Sequence, residues 1–382
     1  MASSAWDRIG VLLLLAATDT AAVPGISAAG ATPAARRQTA AADAELLVLG
    51  PRATRPHALP PLPAGVSPAL IGHAVLRDLD LLGQLQVVDL GCPVAPAIPH
   101  LRLPGQESVG PAACLSTGRA MAPERVAALL ARGRSWGRTW ALRWGGRRPL
   151  LVAECVPGGT STALAVLQAL GVEAAGLVSG SLRQPVHQLK SRLVELGLER
   201  AGLGNAAGEK TGLGEPGVDP LAVLAAVGDP MQVLAAGLVL EAGAARVPLL
   251  LAGGSQMAAV LALALALAPP ALRPTLAAAA PVATTAWVVA EADSDLPRLM
   301  ELIGERWGCQ THLEAASLRF HDCRSQSLRD YEQGFVKEGV GAGGLALLWQ
   351  RLGRDPLDLA RHCDRLCDEL TGAVAGPIAG EP

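Results

Sequence analysis

Short apolar runs recur along the chain, and a glycine, serine, aspartate or glutamate follows most of them. Runs of four to eight apolar residues are typical of strands that are buried on both faces of a parallel sheet. We therefore predict one strand in each run. The runs are VLLLLAA, LLVLG, QVVDLG, PLLVAE, AAGLVSG, VPLLLAGG and AWVVAE.

Segments with apolar residues three and four positions apart separate most of these runs, and this spacing predicts helices. They are APERVAALLARGRSW, TALAVLQALG, QPVHQLKSRLVELGLE and DPLAVLAAVGDPMQVLAAGLVLEAG. Strands that alternate with helices favour an α/β fold, a doubly wound and mainly parallel sheet with right-handed crossovers. Ligands bind to such sheets outside the carboxyl ends of the strands. That edge would bring together Asp19, Asp89, Glu154, Ser179, Gly253 and Gly254.

The composition narrows the class of ligand. The chain has 382 residues, of which 50% are hydrophobic, and a formal net charge of −2 at pH 7. It can bury a large core, and without a long basic run it has no electrostatic footprint for nucleic acid or an anionic membrane. We expect a small-molecule ligand, and neither a nucleic acid nor a membrane as partner.

The seven cysteines are odd in number and scattered, which argues against a disulfide framework. They fit free thiols in a reducing compartment, so we expect a cytoplasmic protein. The spacing of His362, Cys363 and Cys367 matches no common zinc pattern, and we predict no metal site. The first apolar run reads as a buried strand rather than a signal peptide, and Pro269 interrupts the longest apolar stretch before it reaches the length of a membrane span.

Two glycine-rich loops each carry a glutamate. In AECVPGGTSTA, Glu154 precedes a glycine turn at the start of a helix, where amide groups and the helix dipole favour an anion such as phosphate. A carboxylate there should repel the phosphate, so either a positive group compensates or the glutamate has another role. In KEGVGAGG, Glu338 lies ahead of an apolar helix among glycines that let backbone approach a ligand. The alternative is that both glutamates only stabilise helix N-termini.

Two long loops lack an apolar period. Residues 51–68 are rich in proline and arginine, and we predict a surface connection there. Residues 204–219 place several glycines around Lys210 and Thr211 between two helices. Because long glycine-rich loops inside compact domains are often functional, Thr211 and Gly212 are candidate ligand contacts.

Together and in this order, the motifs resemble the nicotinate-nucleotide:dimethylbenzimidazole phosphoribosyltransferase family, in a divergent branch. The resemblance covers nearly the whole chain. It implies a doubly wound core over residues 1–300, a segment over residues 301–372 that carries the catalytic base, and a loose tail over residues 373–382. It also implies a small helical domain built from the chain ends, a homodimer and no cofactor. The motifs are LLAATDTAAVPGISAAGATP, QVVDLG, AECVPGGTSTALA, KEGVGAGGLAL and, as the most specific, DPLAVLAAVGDPMQVLAAGLVLEAGAARVPLLLAGG.

The resemblance further implies phosphoribosyl transfer from nicotinate mononucleotide to dimethylbenzimidazole or a related aromatic base, giving an α-riboside 5′-phosphate for the cobamide lower ligand. Glu338 would accept the ring proton of the base. Glu154 would assist at the ribose, which becomes positively charged in the transition state. The expected phosphate- and substrate-binding residues are Gly158, Gly159, Thr160, Ser161, Thr211, Gly212, Gly253, Gly254, Ser255, Asp19, Gly339 and Gly341.

The chain departs from the family pattern at three positions. Thr20 stands in place of a histidine, Val156 in place of a glycine, and Ala252 in place of an aspartate. These changes leave open which aromatic base is the acceptor, dimethylbenzimidazole or a related one. They also leave open an alternative, in which the chain binds a nucleotide or a cobamide precursor without turnover. A third class, the NAD-dependent oxidoreductases, needs G-x-G-x-x-G after the first strand, and that fingerprint is absent there.

Overall fold

The structure is a computed structural model that describes residues 5–52, 54–103, 110–184, 186–203 and 218–374. In these residues seven parallel strands form one sheet in the order β3-β2-β1-β4-β5-β6-β7. The predicted doubly wound α/β fold is confirmed. The strands are β1 Gly10–Leu15, β2 Leu85–Asp89, β3 Leu101–Arg102, β4 Leu150–Cys155, β5 Leu249–Ala252, β6 Val282–Thr285 and β7 Leu313–Ala316.

Helices cover both faces of the sheet, with one hydrophobic core on each side. The long helical segment predicted after residue 218 divides into α6 and α7, because Asp229 caps the second helix with a reciprocal capping box. The helices are α1 Pro33–Leu49, α2 Ala69–Asp78, α3 Pro123–Trp144, α4 Gly159–Ala169, α5 His187–Arg200, α6 Pro220–Val227, α7 Pro230–Ala244, α8 Ser255–Leu267, α9 Arg273–Ala279, α10 Ala286–Val289, α11 Leu296–Trp307, α12 Gln326–Arg329, α13 Ala342–Arg351 and α14 Pro356–Val374.

Four of the seven predicted strands are confirmed, as β1, β2, β4 and β5. The prediction of a strand for LLVLG is wrong, because this run forms the end of helix α1. Thr32 is the N-cap of that helix, and Gly50 is its C-cap. The prediction for AAGLVSG is also wrong, and the run forms turns around Gly176 with its positive φ of 77°. AWVVAE begins a helix, because the Thr285 side chain accepts the Val288 amide as an N-cap and ends the preceding strand β6.

One face of the sheet is covered by helices from the two ends of the chain. Helices α1 and α2 come from the beginning, α13 and α14 come from the end, and α13 and α14 both pack against α2. Strand β7, from the C-terminal part, completes the sheet at its edge. The division into a core over residues 1–300 and a C-terminal segment stays a prediction, and the tail from residue 375 lies outside the described residues. Within those residues no helix is long and apolar enough to cross a membrane.

Candidate active site

A cavity of about 260 Å³ lies at the carboxyl ends of the central strands. The strand order reverses between β1 and β4, and this switch point is where doubly wound sheets bind their ligands. The cavity is lined by the segments that follow β1, β4 and β5 and by the loop ahead of α13. The two glutamates that the sequence singles out, Glu154 and Glu338, both line it.

The first glutamate ends strand β4 and begins a tight turn into helix α4. Glu154 Oε2 accepts the Val156 amide at 3.0 Å, and Gly158 then takes a positive φ of 83°. A Cβ on Gly158 would lie 2.9 Å from the Ala21 nitrogen, so this turn requires glycine. The turn places the N-terminus of α4 at the cavity, which Gly158, Gly159 and Thr160 line.

A second helix N-terminus meets the first one. Helix α8 begins at Ser255, directly after the neighbouring strand β5, and Gly254 and Ser255 also line the cavity. Ser255 is fixed in place because its hydroxyl accepts the Ser179 amide at 3.1 Å. The positive ends of two helix dipoles therefore converge on one space, an arrangement that favours an anion.

The loop that carries Glu338 is held in an unusual backbone conformation. The non-glycine residues Val336, Lys337 and Val340 have positive φ values of 63°, 65° and 54°. For β-branched valines this conformation is strained, and such strain persists only where the surrounding structure imposes it. The amide of Val340 donates to the Glu154 carbonyl at 3.1 Å, which joins the two glutamate loops directly.

Four protein donors hold the Glu338 carboxyl group. Oε2 accepts the Thr284 hydroxyl at 3.1 Å and the Thr285 amide at 3.0 Å, and Oε1 accepts the amides of Gly339 and Gly343, each at 3.1 Å. Burial nevertheless raises the pKa of Glu338 to about 7. The group can thus exchange a proton near neutral pH, in an orientation fixed by its neighbours.

Glu154 is less fully hydrogen-bonded and holds its proton more tightly. Burial first, and then the charges of Glu338 and Asp229, raise the pKa of Glu154 to about 8. The charge of Glu338 thus links the protonation of Glu154 to that of its neighbour.

A buried positive charge lies next to Glu338 in the sequence and in the cavity wall. Lys337 Nζ donates to Glu291 Oε1 at 2.6 Å and to the Leu182 carbonyl at 2.7 Å. The hydroxyls of Ser179 and Ser294 donate to the other Glu291 oxygen. Neither Lys337 nor Glu291 was identified from the sequence. The pairing joins residues 46 positions apart and has no local signal in the sequence.

The predicted surface connection over residues 51–68 is partly wrong. Residues 59–68, which we call the proline segment, cover one side of the cavity. They are held there because the Tyr331 hydroxyl donates to the Val66 carbonyl at 2.7 Å and Asp330 accepts the Gly65 amide at 2.9 Å. Proline and arginine content alone gave no indication of these contacts, which come from a part of the chain more than 260 positions away.

The cavity also contains a carboxyl group that was not predicted from the sequence. Asp43, on α1, lines it with a side chain that is buried. Its Oδ1 accepts the Ser67 hydroxyl at 2.6 Å, and burial raises its pKa to about 6. The residue lies in the alanine-rich run QTAAADAELL, where an aspartate reads as an exposed helix position.

The structure brings most of the predicted site residues together. The cavity is lined by Glu154, Gly158, Gly159, Thr160, Gly254, Ser255, Glu338 and Gly339. Gly253 lies just behind them, with its Cβ position 3.7 Å from Glu154 Oε1, and Gly341 packs against Ala153. Ser161 is fully buried in the first turn of α4. Thr211 and Gly212 lie outside the described residues.

Asp19 is placed apart from these residues. It lines a second, much smaller cavity of about 20 Å³, and its carboxylate lies 3.7 Å from the Arg37 guanidinium. Both side chains of this pair are about half exposed. Thr20, beside it, is fully buried and accepts the Leu115 amide at 3.0 Å, so its hydroxyl supports the loop after β1.

Ala252 has a packing role. A Cβ on Gly344 would lie 2.3 Å from Ala252 Cβ, so helix α13 rests directly on the end of β5. A longer side chain at position 252 would push the helix away. The departure from the family pattern at this position therefore accompanies a close contact between α13 and the sheet.

All seven cysteines are free thiols, as expected. In the described parts of the chain, no group of three or more histidine, cysteine, aspartate or glutamate side chains is placed to hold a metal ion.

Comparison with known proteins identifies the family. A family model described as "Phosphoribosyltransferase" matches residues 81–290, which is more than half of the chain. The chain belongs to this phosphoribosyltransferase family. Among its relatives is a UPF0284 protein of Parasynechococcus marenigrum (strain WH8102), 50% identical over 374 residues that cover 96% of this chain and 89% of the relative. A UPF0284 protein of Prochlorococcus marinus (strain MIT 9313) is 49% identical and covers 93% of this chain and 85% of the relative.

Solved structures agree on the fold. The chain is similar to the nicotinate-nucleotide-dimethylbenzimidazole phosphoribosyltransferase of Thermus thermophilus, with a TM-score of 0.54, 21% identity, and coverage of 96% of this chain and 86% of that one. A structure of CobT from the same organism gives a TM-score of 0.53 at 22% identity, covering 94% of this chain and 84% of that one. The resemblance to this family is confirmed, with the chain in a divergent branch alongside the UPF0284 proteins.

Proposed function

We propose that the chain transfers the phosphoribosyl group of nicotinate mononucleotide to an aromatic base, giving an α-riboside 5′-phosphate for the cobamide lower ligand. The observation that carries the proposal is the meeting of two buried glutamates, Glu154 and Glu338, with two helix N-termini in one cavity. The family of the chain and the function named for its solved neighbour support the same reaction class.

The donor would bind with its 5′-phosphate at the two helix N-termini. The turn over residues 158–160 and the residues Gly254 and Ser255 line the cavity at that position, and the Gly159 amide itself is bonded to the Val156 carbonyl at 2.8 Å. The pyridinium ring of nicotinate mononucleotide is cationic, so Glu154 would lie beside the ring and the ribose rather than the phosphate. The ligand's positive charge favours the ionised form of Glu154 and opposes the effect of burial on its pKa. Glu154, at the start of this loop, would thus pair with the positive charge of the donor.

The chemistry is a displacement at the ribose C1′. A ring nitrogen of the acceptor forms a bond to C1′ as the bond from C1′ to the nicotinate nitrogen breaks, and the bonding electron pair leaves with nicotinate. The other ring nitrogen of the acceptor, which carries the N–H, loses its proton to Glu338. A base with a pKa of about 7 suits this transfer, because a substantial fraction is ionised at neutral pH while its proton affinity remains high. Ionised Glu154 would stabilise the positive charge that develops on the ribose.

Nicotinate release is the direct test. The purified protein is incubated with nicotinate mononucleotide and a panel of benzimidazoles and purines, and free nicotinate and riboside phosphate are quantified by chromatography and mass spectrometry. We expect release that needs both substrates, with one riboside phosphate formed for each nicotinate. If calorimetry detects donor binding but no base triggers release, the chain is the non-catalytic binding protein instead. The homodimer and the cytoplasmic location also stay predictions.

A further inference from the structure

The cavity holds a third carboxyl group that the proposed reaction does not use. Asp43 is 6% exposed and lines the cavity. Its Oδ1 is bound by the Ser67 hydroxyl at 2.6 Å, while the one donor to Oδ2 among the residues that the structure describes is the weak thiol of Cys155, at 3.8 Å. A buried carboxylate oxygen with so poor a donor gains more from a ligand N–H group than from this thiol.

The surroundings of Asp43 supply few other donors. The proline segment forms the adjacent wall, and its side chains are mainly proline, leucine and valine. Its contacts with Asp330 and Tyr331 fix this wall, and Val336 packs against it at Gly65. An apolar wall beside one carboxyl group suits a flat aromatic ring that carries a hydrogen-bond donor at one edge.

Asp43 and Glu338 lie over different strands. Asp43 contacts Cys155 at the end of β4, whereas Glu338 contacts Thr284 and Thr285 at the end of β6. Strand β5 lies between them, so two strand spacings separate the contacts, on the order of 10 Å. A fused two-ring heterocycle with a hydrogen bond at each end spans a distance of this order.

We propose that Asp43 determines the specificity of the acceptor subsite, and that the acceptor is a two-ring aromatic base with a second N–H donor. One ring N–H is directed to Glu338, and an amino group at the far end is directed to Asp43. This inference rests on the proposed function. A base with methyl groups at that end would offer no donor to Asp43 Oδ2.

The test compares two acceptors of equal size, 5-aminobenzimidazole and 5-methylbenzimidazole. Calorimetry measures the binding of each, and nicotinate release measures kcat/KM for each. We expect the wild-type protein to favour the amino base by roughly tenfold to a hundredfold, the usual value of a hydrogen bond to a charged group. In Asp43→Asn the amide oxygen keeps the Ser67 hydrogen bond and its NH2 group faces the ligand, so the preference for the amino base should disappear.

The matched control is Asp229→Asn, which replaces another buried aspartate, one that caps α7 and does not line the cavity. It should keep the wild-type preference. Ser67→Ala, which frees Asp43 to turn, should reduce the preference in part. Equal use of the two bases by the wild-type protein, or an undiminished preference in folded Asp43→Asn, would overturn the inference.

The binding measurement separates this inference from the proposed function. If no base causes nicotinate release, the proposed reaction is wrong, but calorimetry still reports whether the amino base is favoured through Asp43. If release occurs and the two bases are equivalent, the reaction stands and the role of Asp43 is wrong. If Asp43→Asn does not fold, the comparison of the two bases in the wild-type protein and in Ser67→Ala tests the role of Asp43.

Discussion

Lys337 Nζ lies 2.6 Å from Glu291 Oε1, and the two side chains are only 1% and 5% exposed. Removing one partner of such a buried pair leaves the other charge without compensation, which costs about 3–5 kcal/mol. We predict this loss for Lys337→Met, measured by denaturant unfolding, with a loss of turnover because the neighbouring Glu338 loop shifts. The double variant Lys337→Met/Glu291→Gln should recover part of the stability.

A surface ion pair provides the control for this prediction. Arg298 and Glu301 are 43% and 64% exposed, and Arg298→Met should leave unfolding unchanged within error. If Lys337→Met were as stable as Arg298→Met, the pair at Lys337 would contribute nothing and the strained loop would be held by other contacts.

The second prediction concerns Glu338. Glu338→Gln cannot accept the acceptor's proton, so turnover should fall by roughly a hundredfold to ten-thousandfold with donor affinity nearly unchanged. The glutamine NH2 group would also face two protein donors, so the melting temperature must be measured alongside, with exposed Glu301→Gln as reference. Turnover equal to that of the wild type with every accepted base would exclude Glu338 as the general base.

The third prediction is the pH dependence of stability. Burial raises the pKa of Glu154 to about 8, well above its value in the unfolded chain, so the folded state binds the proton more tightly. The contribution of Glu154 to the free energy of unfolding is therefore complete at low pH. It is lost as the pH rises through the interval between the two pKa values, up to about pH 8. Glu154→Gln should flatten this decline in melting temperature between about pH 5 and 9. Exposed Glu173→Gln should retain the wild-type slope.

The fourth prediction compares two glycines with similar backbone angles. Gly158 and Gly176 have φ values of 83° and 77°, but only Gly158 has a neighbour within contact distance of its Cβ position, at Ala21. Each alanine variant should lose roughly 1–2 kcal/mol from the left-handed conformation. Gly158→Ala should in addition raise the KM for the donor, because the turn that presents the α4 amides is displaced. Equal donor KM values for the two variants would show that this turn does not bind the donor.

The site could be predicted in part because its loops carry local signals. Glu154 follows an apolar run and precedes a glycine turn, which places it at the edge of the sheet, whereas Glu338 is marked by the glycines ahead of an apolar helix. Asp43 has no such signal. Its burial depends on the proline segment, which is held by Tyr331, and no pattern within α1 reports a contact so distant along the chain.

The strands of the sheet, like the residues of the site, could be predicted only in part. Strands β1, β4 and β5 are long apolar runs in the centre, buried from both sides, and burial on both faces is what makes such runs recognisable. Strand β3 has two exposed residues, and β7 has the sequence LEAA with only its last residue buried. At the edge of a sheet the selection for apolar residues is weak, so these strands do not differ from loops in composition.

Because α13 packs closely on Ala252, the cavity can be completed only after the part of the chain that contains α13 has been synthesised. The ribosome synthesises the turns that precede α4 and α8 first, and the Glu338 loop and helix α13 follow later. Until then the small side chains at the end of β5 face no partner, and the nascent protein holds an incomplete cavity. A chain stalled just before Glu338 would have most of its sheet but would lack the wall of the cavity that this loop forms.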